Sequence, residues 1–221
     1  MSDSPPPSAR TRIRRIATNA DYDPATVHAI VDDAYVCQVA FADDEGGVHC
    51  IPTACWRDGE HLLIHGSNGS RMVRRLAAGA PVCVGITHVD GLVLARSAFN
   101  HSMNYRSVMV YGQFERVPDA DKAALLDRLM DHIAPGRRHE ARPGDANELA
   151  ATTLLRLPLH EAAAKIRRGP PEDDQADLAL DAWAGVVPLA RTYGMPVPAA
   201  GVTREAPAGV RGLMARNARG S

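Results

Sequence analysis

Residues 35–65 chain three strand-forming runs with only tight turns between them, and this spacing narrows the available folds more than any other feature of the sequence. Residues 35–41 and 48–56 are rich in strand formers, residues 43–47 carry turn chemistry between them, and residues 57–60 turn the chain again into a short strand at 61–65. Connections this short join antiparallel neighbours. Further strands are expected at 82–88 and 92–98 around Asp90-Gly91, at 105–117 and at 152–159. Asp23-Pro24 caps a helix expected over 24–34, in which Val27, Ile30 and Val31 recur at helical spacing. A second helix follows Ser70, a third covers 119–133, and a short one lies near 146–150. No strand-helix-strand unit repeats, so the expected class is mainly β with flanking α, an antiparallel barrel. GxGxxG and GxxxxGK[ST] are both missing, which argues against a doubly wound nucleotide fold.

With 221 residues, 45% of them hydrophobic, the chain can build a core without a metal or disulfide staple. The longest apolar runs, 81–86 and 91–95, fall far below the roughly 20 residues that span a bilayer, so no membrane helix is expected. A formal net charge of -1 argues against a nucleic-acid partner and favours a small molecule or a protein. Cys37, Cys50, Cys55 and Cys83 form no CxxC pair and read as buried, reduced thiols; a zinc site on Cys50, Cys55 and the nearby His49, His61 and His65 is the alternative. Residues 1–20 hold Pro5, Pro6, Pro7 and four arginines without an apolar core, which suggests a mobile basic tail, no secretory signal and a cytoplasmic location.

Chemistry concentrates in two stretches. In His65-Gly66-Ser67-Asn68-Gly69-Ser70-Arg71, small residues let backbone amides approach a ligand, Ser67 and Ser70 add hydroxyls, and Arg71 can grip a phosphate at the start of the next helix. The competing reading is a polar turn with a serine cap and a solvent-facing arginine. The second stretch, residues 96–107, packs side-chain donors around a strand entry, with His101, Arg106 and Ser107 prominent; here the competing reading is a surface ion pair and a loop histidine. His49, His61 and His88 are individually uninformative, and no serine sits in a GxSxG elbow.

In order along the chain, HGSxxSRM (65–72), THxDGLVLARS (87–97), xHSMNYRSVxVxG (100–112), KxRxGPPxDD (165–174) and WAGVVP (183–188) resemble the pyridoxamine-phosphate-oxidase-like family of flavin-binding split barrels, in its flavin-nucleotide-binding and nitroimidazole-resistance branch. The resemblance covers roughly residues 12–189. It implies an antiparallel, Greek-key split β-barrel over 21–190, flanked by tails 1–20 and 191–221, and a homodimer holding FMN at its interface. It further implies that residues 49–54, with His49, Ile51, Pro52 and Thr53, lie along the flavin ring, and that His65 and Gly66 meet the ring and ribityl end. Ser67, Ser70 and Arg71 correspond to the phosphate site, Arg106 and Ser107 to flavin-reaching side chains, and Trp183 to a late aromatic contact. Where the oxidases place a lysine after the phosphate-binding arginine this chain has Met72, leaving Arg74 or Arg75 as substitutes, and pyridoxamine phosphate is a poor guess as substrate.

The resulting expectation is an FMN-dependent oxidoreductase that passes electrons from NAD(P)H or a donor protein to a nitro-aromatic or quinone-like acceptor, with His101, and also His65, as proton donors. A flavin carrier or sensor without turnover is the alternative from another class. Haem binding through His88 or His101 is a third reading.

Overall fold

The computed structural model describes residues 4–215; residues 1–3 and 216–221 of the expected tails lie outside them. Among the described residues two compact units emerge, one of residues 4–117 with 152–189, the other of 118–151 with 190–215. In the second unit the helical stretch after Val117 packs on later residues of the chain: a Cβ on Gly209 would lie 1.9 Å from the Pro135 carbonyl oxygen. That second unit contains α3 (Lys122–Ile133), α4 (Ala146–Ala151) and α5 (Ala208–Ala215).

The first unit contains the sheet. Asp23 accepts the Ala25 N–H at 3.1 Å and Pro24 begins α1 (Pro24–Asp32), which buries Val27, Ile30 and Val31. Around it run β1 (Ala20–Asp21), β2 (Val36–Ala42), β3 (Val48–Asp58), β4 (His61–Ser67), β5 (Pro81–Leu94), β6 (Ser102–Gln113), β7 (Glu115–Arg116), β8 (Thr152–Pro158), β9 (Ala162–Arg167) and β10 (Gly185–Pro188). Every pairing is antiparallel, in the order β1-β9-β6-β5-β2-β3-β4-β8-β7, with β10 on β5. Alternate residues Cys37, Val39 and Phe41 of β2 point into the core with Val84, Ile86, Val108, Val110, Ile64 and Leu155.

Where two strands were expected around Asp90-Gly91, there is one 14-residue strand. Its partner β6 pairs along both halves, and the ladder absorbs Asp90 as a bulge between Val89 and Gly91. β9 and β10 had no counterpart in the sequence reading. In place of the mobile tail expected for residues 1–20, Thr11 is 2% exposed, the Ile13 N–H donates to the Tyr22 hydroxyl, and Arg10 grips Glu161 with two hydrogen bonds while lying over the Tyr111 ring. Cys37 and Cys55 are buried, but Cys50 is exposed and Cys83 only partly covered, because both alternate onto the outer face of the sheet. Among the described residues no helix is long and apolar enough to cross a membrane.

β3 positions the rest. Its residues 48–54 pair with β2 and residues 55–58 with β4, so one sheet hands over to the other within a single strand. The β3 edge over 48–54 that faces away from β2 has no strand partner among the described residues. Ile86, 1% exposed in the central strand β5, reports on this core: Ile86→Ala should lower the unfolding free energy by about 2–5 kcal/mol in urea titrations.

Candidate functional site

β4 ends in the loop 65–71 and passes into α2 (Arg71–Ala77), whose N-cap is Ser70: its Oγ accepts the Val73 N–H at 3.4 Å. Strand and helix are close enough that a Cβ on Gly66 would lie 2.7 Å from the Val73 side chain, so only glycine fits there. Ser67 Oγ accepts the Gly69 N–H, and Asn68 accepts from the Thr153 hydroxyl at 2.6 Å, which fixes the loop's shape.

Arg71 and Arg75 share one face of α2, four residues apart. Arg75 is held by the Ala42 carbonyl at 3.1 Å and by the Asp44 carboxylate, tying α2 to the β2–β3 turn. No carboxylate reaches Arg71 among the described residues; its Nη2 lies 3.4 Å from His49 Nδ1, and the side chain is exposed. Met72 is buried in the core, so its backbone position cannot offer a charged group to the loop, and Arg75 is not free to substitute.

His49 stacks on Phe41, with ring centroids 5.2 Å apart, and its Nε2 lies 2.9 Å from Asp43. Further along β3, Ile51 packs against the core, Thr53 is half-buried and Pro52 is exposed. On β4, His65 is half-buried, its ring 5.9 Å from that of Trp56. Among the described residues neither His65 Nδ1 nor Trp56 Nε1 has a hydrogen-bond partner, and burial pushes the His65 imidazole below its ordinary value. An unpartnered buried nitrogen, a glycine whose Cβ position is already filled and an uncompensated guanidinium within one seven-residue loop fit an anionic ligand carrying a heteroaromatic ring.

The remaining expected site residues lie elsewhere in the unit. The Arg106 guanidinium grips Asp90 with two hydrogen bonds, at 2.9 and 3.0 Å, and Asp33 with a third at 2.8 Å, which raises its pKa above the ordinary value and compensates its charge. It lines a cavity of about 600 Å³ with Asp21, Ile30 and Ile166. The ion-pair reading of Arg106 is therefore the one observed. Ser107 donates to the Lys165 carbonyl at 3.2 Å. His101 Nδ1 donates to the Ser97 carbonyl at 2.9 Å with the ring exposed, and Trp183, 68% exposed, lies over Gly185. Sequence reading missed Asp43 and Trp56: the first was absorbed into turn chemistry, the second into a run of strand formers.

A family model described as pyridoxamine 5'-phosphate oxidase matches residues 23–166, more than half of the chain. Comparison with curated proteins finds no match. Among solved structures, an FAD and heme binding protein from Mycobacterium smegmatis is 38% identical, covering 89% of this chain and 97% of its own, with a TM-score of 0.85. The flavocytochrome Anf3 from Azotobacter vinelandii is 36% identical, covering 94% and 97%, with a TM-score of 0.88. A candidate 5-nitroimidazole antibiotic resistance protein from Bacteroides thetaiotaomicron, 20% identical over 66% of this chain and 86% of its own, with a TM-score of 0.55, shares the fold.

The depressed His65 imidazole means that, just below the ordinary pKa of 6.5, the unfolded chain binds this proton and the folded chain does not. Its stabilising contribution is complete above that value and is lost as pH falls below it. The urea midpoint should drop between about pH 7.5 and about pH 5.5, and His65→Phe should reduce that drop; equal drops would show that other groups cause it.

Proposed function

From the premise that this chain belongs to the pyridoxamine 5'-phosphate oxidase family of split-barrel proteins, we propose that it is a flavin-dependent oxidoreductase. The observation that carries the reading is the uncompensated Arg71 guanidinium at the mouth of the Gly66 loop, beside the unpartnered His65 Nδ1. Arg71 and the Ser67 and Ser70 hydroxyls hold the phosphate nearest the ribityl chain. Residues 49–54 offer the unpaired β3 edge to the ring, and His65, neutral at physiological pH, supplies Nδ1 to a ring or ribityl group. The flavin supplies hydride and single-electron chemistry when bound. FMN and FAD present the same first phosphate, so this cradle serves either; the Mycobacterium smegmatis relative points to FAD and the family resemblance to FMN.

The electron donor is NAD(P)H or a donor protein and the acceptor a small nitro-aromatic or quinone-like compound; a flavin carrier without turnover is the alternative. Exposed Met103, Leu92 and Val187 stand in register across β6, β5 and β10, an apolar row that supports association with a second copy. The net charge of -1 speaks against nucleic acid, and the buried thiols Cys37 and Cys55 suit the reducing cytoplasm.

One observation favours a second, additional reading. With Nδ1–H directed at Ser97, neutral His101 turns the Nε2 lone pair outward. That arrangement carries no Nε2 proton to deliver, but it would suit a metal ligand whose other nitrogen is fixed by a carbonyl. Haem beside flavin, as named for both relatives, is the corresponding cofactor pair.

The purified protein should be yellow with flavin bands, and mass analysis of the released cofactor should distinguish FMN from FAD. Anaerobic NADPH should bleach it and a quinone restore it; an absence of bleaching favours the carrier. Arg71→Ala should weaken flavin-phosphate binding by about 1.5–3 kcal/mol, the range for hydrogen bonds to charged groups, and unchanged affinity removes Arg71 from the site. Under the second reading a Soret band appears and His101→Ala shifts or abolishes it; haem loading with an unaltered spectrum excludes His101 as ligand.

A further inference from the structure

We propose that Asp43 and His49 are positioning residues that aim Arg71 at the phosphate through a carboxylate–imidazole–guanidinium chain. This rests on the flavin-phosphate reading of Arg71.

The chain begins in the β2–β3 turn. Asp43 Oδ1 accepts the Gly47 N–H at 2.6 Å and the Glu45 N–H at 3.1 Å, while the Asp43 N–H donates to the Gly47 carbonyl at 2.9 Å. A Cβ on Gly47 would lie 2.6 Å from Asp43 Oδ2, so the carboxylate occupies space that only a glycine leaves open. These hydrogen bonds, led by that from His49, hold the Asp43 carboxyl below its usual range, and it is ionised. Its second oxygen therefore accepts a hydrogen bond from His49 Nε2 at 2.9 Å.

That bond assigns the tautomer. A neutral imidazole with its proton on Nε2 has a lone pair on Nδ1, and this nitrogen faces Arg71 Nη2 at 3.4 Å. Phe41 stacks on the imidazole at 27° and fixes its plane. Meanwhile Arg75, gripping Ala42 and Asp44 of the same turn, locks the backbone of α2 to the hairpin. With the backbone held, the rotatable bonds of Arg71 are what remains to be ordered, and the Nδ1 lone pair reduces that freedom before a ligand arrives. Because the contact acts on the guanidinium, it favours the phosphate rather than the ring.

Positioning and bulk electrostatics predict opposite signs for Asp43→Asn. Removing a negative charge near a phosphate site strengthens anion binding if charge alone matters. Asparagine still accepts the turn amides, but it offers N–H to His49 Nε2, driving the imidazole proton onto Nδ1, where it opposes the Arg71 N–H.

The test titrates FMN and riboflavin into flavin-free full-length protein, following flavin fluorescence. Arg71→Ala should raise the FMN Kd at least about tenfold and the riboflavin Kd by less than about twofold. Asp43→Asn should raise the FMN Kd about threefold to tenfold with riboflavin binding nearly unchanged, the scale of one lost hydrogen bond, and His49→Phe, which keeps the stack on Phe41, should raise the FMN Kd about threefold to tenfold more than it raises the riboflavin Kd. His49→Asn, which returns an acceptor near Nδ1, should recover part of the loss, and Asp43→Asn should add nothing in an Arg71→Ala background. FMN binding by Asp43→Asn as tight as, or tighter than, that of the unaltered protein, with Arg71→Ala still defective, overturns the positioning role and leaves the phosphate site standing. Equal losses for FMN and riboflavin overturn it as a general disturbance of β3, and an Arg71→Ala protein with an unchanged FMN-to-riboflavin ratio overturns both readings.

Discussion

The handover within β3 is the constraint on which the site depends. An antiparallel ladder satisfies the backbone on both sides of a central strand, but β3 pairs with β2 through residue 54 and with β4 only from residue 55. β4 is meanwhile committed to β8 from His61 to Ser67. Two ladders that share one strand diverge past the shared segment, and here they leave an unpaired strand edge on one side and a loop leading into α2 on the other. A ligand that needs backbone polar groups along a flat ring and concentrated donors at an anionic end finds both in that arrangement.

Charge placement separates residues that look equivalent in one dimension. Arg71, Arg75 and Arg106 are all arginines in or next to the two polar stretches. Arg75 is part of a clamp between α2 and the β2–β3 turn, and Arg106 has two carboxylates, one of them Asp33 at the end of α1, 73 residues away. A guanidinium held by two carboxylates retains little attraction for a further anion, while an uncompensated one keeps its charge and its donors. The reach toward a flavin that the resemblance implies for Arg106 thus competes with its hydrogen bonds to Asp90 and Asp33.

Much of this was legible in the sequence where local chemistry decides. Asp23-Pro24, the turn at 43–47, Ser70 before an apolar helical pattern and the glycine-rich loop each imply their structure through caps, φ preferences and side-chain size. What escaped is set by partners distant in sequence. β9 is built on Ala162, Ala163 and Ala164, poor strand formers that are buried where β6 supplies a ladder. The bulge at Asp90 looked like a turn because the pairing that carries β5 through it comes from β6. Asp43 read as one turn residue among several, since its second oxygen meets His49 only once the hairpin has closed.

The substitution at residue 72 then gains a physical meaning. A lysine following the arginine would place two cations at the phosphate, and discrimination between a phosphorylated and an unphosphorylated flavin would be shared between them. With Met72 buried in the core and Arg75 bound to Asp44, neither of these positions supplies that second cation beside Arg71. A single charged contact is more sensitive to orientation than a pair, because a tilt that lengthens its hydrogen bonds has no second cation to offset it. A site with one such contact gains more than a site with two from a structure that orders the side chain in advance, and a turn carboxylate acting through a stacked imidazole provides that order without placing a competing charge on the guanidinium itself.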